Sequence, residues 1–220
     1  MLTRYVKVAH DWLPTRHHLS KIDPELDDHC PLCHRLREDS EHVMRCNADI
    51  AQNARAIGLS KLRKEWQGQR TPHALQDVFE SGLIQWCRLQ DTGKAIQCPQ
   101  TKPDQYGNLL QIAFTEQTSI GWDNTWKGRI SKRWGEAVAQ HYRQCEYGEI
   151  YNAKRWTQST VKQLYLWLEL QWKTRNEGLY GVNTTEQAAK RQEILTSAVH
   201  ETYLAAEATL QGPRQKLIQA

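Results

Sequence analysis

Cys30-Pro31-Leu32-Cys33 is followed after eight residues by His42 and, three residues further on, by Cys46. Two thiols at the first spacing can turn both sulfurs inward from one tight knuckle. Asp39 or Ser40 can cap a helix that begins just before His42. On that helix His42 and Cys46, four positions apart, point the same way. Three sulfurs and one imidazole nitrogen fill a tetrahedral shell and leave no position for water, so the pattern predicts a structural zinc ion and not a catalytic one. His29 and His34 flank the knuckle and are alternatives to His42. A redox pair at Cys30 and Cys33 has less to support it, because no βαβ pattern surrounds them. Cys87, Cys98 and Cys145 are scattered, unlike the dense pairing of a secreted disulfide scaffold.

The rest of the chain reads as helix. Ile50, Ala54, Ile57, Leu62 and Trp66 recur at helical spacing, and Gly68 ends that element. Thr71-Pro72 starts the next, with a capping hydroxyl and a proline at the first helical position. Leu75, Val78, Phe79, Leu83 and Trp86 form its apolar stripe. Residues 91–108, with Gly93, Pro99, Pro103 and Gly107, suit a linker or long loop. A second helical group begins near Leu109; in it Ile130, Trp134, Ala137, Val138, His141 and Tyr142 share one face. The stretch from Trp156 to Trp172 is apolar on more than one face, as a central helix is. Asn183-Thr184-Thr185-Glu186 fits a capping box for a last helix that stops at Gly212-Pro213 and buries Leu195, Val199, Ala206 and Leu210. No segment of useful length alternates apolar and polar residues, so a sheet is not indicated. The expected fold is all-α: a small N-terminal CCHC zinc module with flanking helices over residues 1–68, a helix and linker over 69–108, and a helical bundle over 109–220 ending in a long helix.

The aromatic usage is unusual, with 9 Trp and 8 Tyr against 2 Phe. Such rings suit small helical layers as core bulk, and they also suit surfaces that stack on bases. Lys127, Arg129, Lys132 and Arg133 stand close together with no acid among them, and Trp126 and Trp134 flank them. Cations that neutralise phosphates, interleaved with rings, are what a nucleic-acid surface needs; a solvated helix face beside a packed Trp cluster reads the same way. Lys173 and Arg175 extend the trend, and residues 121–175 hold ten Lys or Arg against five Asp or Glu. The net charge of +4 is compatible with DNA or RNA as a partner without demanding one.

Signals for catalysis are thin. There is no glycine-rich phosphate loop, no G-x-S-x-G and no H-E-x-x-H. Asp27-Asp28 reads as a solvated turn and His141 as a packed histidine. Lys102, Asp104 and Glu116 faintly echo a metal-dependent nuclease, but the lysine such a site expects near the later acid is missing. No apolar run approaches the roughly 20 residues of a membrane span. The opening residues lack the apolar core of a signal peptide, and the chain reads as intracellular.

Leu13-Pro14-Thr15-Arg16, Leu19, the Cys-Pro-Leu-Cys knuckle, Glu38, Glu41-His42 and Cys46 together resemble the zinc-binding region downstream of the reverse transcriptase in non-LTR retroelement proteins. Trp172-Lys173-Thr174-Arg175-Asn176-Glu177 resembles a W-x-x-R-N element of the same tails. The first match covers about residues 12–46, the second six residues, and no paired-aspartate polymerase motif accompanies them. The resemblance implies a C-terminal fragment or orphan remnant of a retroelement protein, without polymerase activity, whose zinc module helps grip nucleic acid. Two other functions stay open: a module that binds a protein partner through the C-terminal helix, and a degenerate nuclease.

Overall fold

The structure, a computed structural model, describes residues 6–7, 10, 12–35, 37–89, 94–147 and 150–218, with side chains to residue 207. Among these residues the fold is all-α; the only sheet-like pairing is a single antiparallel bridge between His29 and Arg37. No helix among them is long and apolar enough to cross a membrane. The helices are α1 (Arg16–Ser20), α2 (Ser40–Arg45), α3 (Asp49–Gly68), α4 (His73–Arg88), α5 (Gln105–Ile120), α6 (Lys132–Gln144), α7 (Ala153–Tyr180) and α8 (Thr184–Ile218). A 3₁₀ turn, Asp123–Lys127, separates α5 from α6.

Compact units run over Met1–Arg175 and Asn176–Ala220. In the first, one apolar cluster extends from Leu13 to Trp172. It crosses residues 68 and 108, where the sequence suggests joints. The predicted linker is part of this body: Ile96 and Cys98 pack against the cluster, and the Gln85 amide bonds both the N–H and the carbonyl of Gln97. Gly93 lies outside the described residues.

The stripe predicted for α4 is buried as read. Its start differs by one residue. Pro72 is the N-cap, and the Thr71 hydroxyl instead accepts from the Trp156 indole N–H at 2.9 Å. On α3 the buried face is Ala51, Ala54, Gly58, Leu62 and Trp66, while Ile50 and Ile57 are exposed. The small residues of that face receive long side chains from α7: the Trp167 indole lies where a side chain on Gly58 would stand, and Gln171 donates to the Ala51 carbonyl at 3.2 Å. The Trp66 indole also donates to Thr160 at 3.0 Å. Buried positions 156, 160, 164, 167, 168, 171 and 172 of α7 face this core, as expected of a central helix. In the second unit Asn183 caps α8 by accepting from the Glu186 N–H at 2.9 Å, while Glu186 reaches one residue past the cap to the Val182 N–H at 2.9 Å, a variant of the predicted capping box. Leu195 and Val199, expected on a buried side, are exposed. The Leu210 side chain lies outside the described residues. α8 also runs past Gly212-Pro213 to Ile218; a proline removes one backbone donor, which a long helix can sustain.

Candidate metal centre

The knuckle is held by backbone bonds before any metal enters the argument. Cys30 N–H donates to the Arg35 carbonyl at 3.2 Å, and His34 N–H donates back to the Cys30 carbonyl at 2.9 Å. His34 takes a left-handed conformation at φ 53°, which reverses the chain, and its side chain is exposed. Asp39 then caps α2, its carboxylate accepting from the His42 N–H at 2.8 Å. This bond sets the helix start so that His42 and Cys46, one turn apart, both turn toward the knuckle.

The four predicted side chains converge. One ligand atom from each of Cys30, Cys33, His42 and Cys46 lies within 4.8 Å of all the others. The sulfurs of Cys30 and Cys46 are 3.7 Å apart, and the Cys33 sulfur is 3.3 Å from His42 Nε2. A disulfide would need about 2.05 Å. A tetrahedral shell with metal–sulfur bonds of about 2.3 Å has a sulfur–sulfur edge of about 3.8 Å. The spacing therefore fits ligands around a shared metal and not a cross-link. Electrostatics point the same way. A hydrogen bond from Cys46 holds the Cys30 thiol far below its ordinary range, and the same bond, joined by burial, pushes Cys46 up. Burial pushes Cys33 up as well. One thiolate is accommodated and its neighbours resist a second and a third charge. A divalent cation reverses that balance, because it is the largest local charge and deprotonates the thiols it binds.

Neither alternative histidine joins the cluster. His29 is exposed and pairs with Asp27, and that hydrogen bond raises the imidazole and lowers the carboxylate from their ordinary ranges. Asp27, Asp28 and His29 form the other cluster of ligating types among the described residues, and all are at least partly open to solvent.

Two supporting groups escape a reading of the sequence. Arg55, on α3, donates to the carbonyls of Met44 at 3.1 Å and Cys46 at 2.7 Å, closing the C-terminal end of α2. Glu38 is fully buried, and its carboxylate meets the buried Arg175 guanidinium through two bonds of 2.9 and 2.7 Å. Glu38 also accepts from the Arg16 N–H at 2.8 Å. The Leu-Pro-Thr-Arg lead and the W-x-x-R-N segment thus meet at one carboxylate, that of Glu38 just before the α2 cap.

This geometry corrects several predicted nucleic-acid contacts. Arg175 is an internal ion-pair partner and does not face a ligand. Trp126 and Trp134 are buried: Trp126 packs edge-on against Trp167, and Trp134 lies against Phe79. Neither offers a stacking face. Lys127 pairs with Asp123 at 3.7 Å, and Arg133 with Glu136 at 2.7 Å and Glu116 at 3.4 Å. Arg129, Lys132 and Lys173 remain exposed. Eight of the 9 Trp are core bulk; only Trp12 is exposed. Asp104 caps α5, accepting from the Gly107 N–H at 2.6 Å, and Glu116 stands three turns further along that helix. No carboxylate pair of nuclease type forms there.

Comparison with protein families, curated proteins and solved structures finds no match to this chain.

Proposed function

We propose that the chain is a zinc-stabilised, non-catalytic nucleic-acid-binding protein. Zinc is the ion that three thiolates and one imidazole in a closed tetrahedral arrangement select, and a shell filled by protein leaves it no catalytic position. Its role is to fix the entry segment against α7 through Glu38. The observation that carries the binding half is the outer side of the first turns of α7. Lys154, Arg155 and Lys162 are exposed there, no acid intervenes before Glu169, and none of the three has an ion-pair partner among the described residues. Exposed cations along one helix are an electrostatic footprint for phosphate. The retroelement ancestry rests on the lead, the knuckle and the W-x-x-R-N segment, and the shared Glu38 supports their belonging to one unit. Fluorescence anisotropy of labelled DNA and RNA oligonucleotides tests the reading. Binding that weakens steeply with salt is expected, and no salt-dependent binding to either would overturn it.

A second reading is favoured by α8. Its Leu195, Val199 and Tyr203 form an exposed apolar stripe at helical spacing, which suits a protein partner. Loss of a co-purifying or self-associated species in Leu195→Glu/Val199→Glu by analytical ultracentrifugation is its signature.

A further inference from the structure

The cations of α7 do not stand alone. Across from them, α3 presents Lys61 and Lys64, and the two helices border an open groove of about 840 Å³. Lys61, Lys64, Arg155 and Lys162 line it and all four are exposed. The one acid lining it, Glu65, is already engaged, accepting from the hydroxyl of Ser159 and from the Gln69 amide. These two bonds, with Lys162 and Arg155 nearby, hold its carboxyl below the usual range. The rest of the lining is glutamine, asparagine, serine and glycine, with Ile150 and Tyr151 at the end where α7 begins. The first N–H groups of α7 are at that same end, adding the positive pole of a 28-residue helix. Tyr151 is half-buried at the edge of an aromatic cluster: its ring lies 5.9 Å from that of Tyr142 and 5.7 Å from that of Tyr147, and the Arg70 guanidinium is 5.6 Å from it.

We propose that the groove between α3 and α7 binds single-stranded nucleic acid, with phosphates along Lys61, Lys64, Arg155 and Lys162 and a base stacked at Tyr151. The inference rests on the nucleic-acid reading above and gives it a surface and a strand type. Three physical features select a single strand. Arg155 and Lys162 are seven residues apart, two turns or about 10 Å along α7, so the charges follow a line and do not form a point. The groove lies between helices whose packed axes are typically about 8–10 Å apart, narrower than a duplex. In a duplex the bases are stacked on one another, whereas a free strand can offer a face to a tyrosine at the groove end. Neutral amides alongside the cations give hydrogen bonds without fixing a sequence.

The test uses the full zinc-loaded chain and a fluorescein-labelled mixed-sequence strand, in single-stranded and duplex form, followed by anisotropy over a salt series. The single strand is expected to bind at least about tenfold more tightly than its duplex. Lys64→Glu/Lys162→Glu is expected to cost about tenfold or more, and Lys64→Gln/Lys162→Gln somewhat less. Lys21→Glu/Arg143→Glu makes the same change in net charge elsewhere on the surface and is expected to stay within about twofold. Tyr151→Ala is expected to lose about fivefold or more while Tyr151→Phe retains binding. Zinc content and far-UV circular dichroism confirm that each variant is folded. Equal losses in the two Glu double variants, a preference for duplex, or displacement by polyglutamate as readily as by unlabelled strand would each overturn the groove assignment. The first two leave nucleic-acid binding intact, and the third marks an acidic protein as the ligand. A folded, zinc-loaded wild-type chain that binds neither strand nor duplex removes the parent reading itself.

Discussion

At the residue scale, the centre of the molecule is an arrangement of local and distant partners. The four ligands were legible in the sequence because their geometry is local: two residues fix the knuckle, and one helical turn fixes His42 and Cys46. Asp39 as the cap was legible for the same reason. Glu38 with Arg175 was not, since 137 residues separate them and no local pattern tells a buried guanidinium from an exposed one. Trp126 and Trp134 misled for a related reason. A tryptophan beside lysines looks identical in sequence whether its ring faces water or Phe79 and Trp167, which arrive from other helices. Two outcomes belong to this scale. Cys46→Ser should abolish stoichiometric zinc by elemental analysis, and chelation of the wild-type chain should lower its thermal midpoint, because the ion's binding free energy is part of the folding free energy. Arg175→Met should cost about 3–5 kcal/mol in urea unfolding, the penalty for leaving Glu38 buried without its cation. Glu38→Leu combined with Arg175→Met should recover much of that loss, since the uncompensated charge is then gone.

At the element scale, the bulky stripe of α4 was read in full, α3 was read in part, and the stripe expected on the buried side of α8 is exposed. α4 buries Leu75, Val78, Phe79, Leu83 and Trp86, where bulk alone marks the face. α3 buries Ala54, Leu62 and Trp66 as read, but it also buries Ala51 and Gly58 and leaves Ile50 and Ile57 in solvent, because Trp167 and Gln171 of α7 seat against the small residues. A glycine in a helix interior is ordinarily improved by alanine, by up to about 1 kcal/mol. Gly58→Ala should do the reverse and destabilise by about 1–3 kcal/mol, because the added methyl meets the Trp167 indole. Urea unfolding beside the exposed-site control Gly68→Ala, where a methyl meets nothing, separates the two effects. If Gly58→Ala is as stable as wild type, the close approach of α3 and α7 is wrong.

At the scale of the whole molecule, the core is one cluster running from Leu13 to Trp172, and the metal site sits in a smaller cluster of Cys30, Cys46 and Ala51 at the start of α3. The sequence carried helix content and the absence of a sheet. It could not carry the continuity of the core across residues 68 and 108, since composition shifts mark loops as readily as domain joints. Because that core ends before α8, a chain ending at residue 182 should bind zinc stoichiometrically and unfold at the urea midpoint of the full chain; a fall in either would show that α8 supports the first unit.

The long span between Glu38 and Arg175 also orders events in time. A knuckle of 17 residues can close around an ion as soon as it is synthesised, since short loops close fastest. Its carboxylate must then wait until α7 exists before its charge is neutralised. On a ribosome the knuckle is complete long before α7, so a metal bound at once would leave the chain metallated but unanchored for a period. Supply of the metal would set the beginning of that interval, and emergence of Arg175 from the ribosome its end.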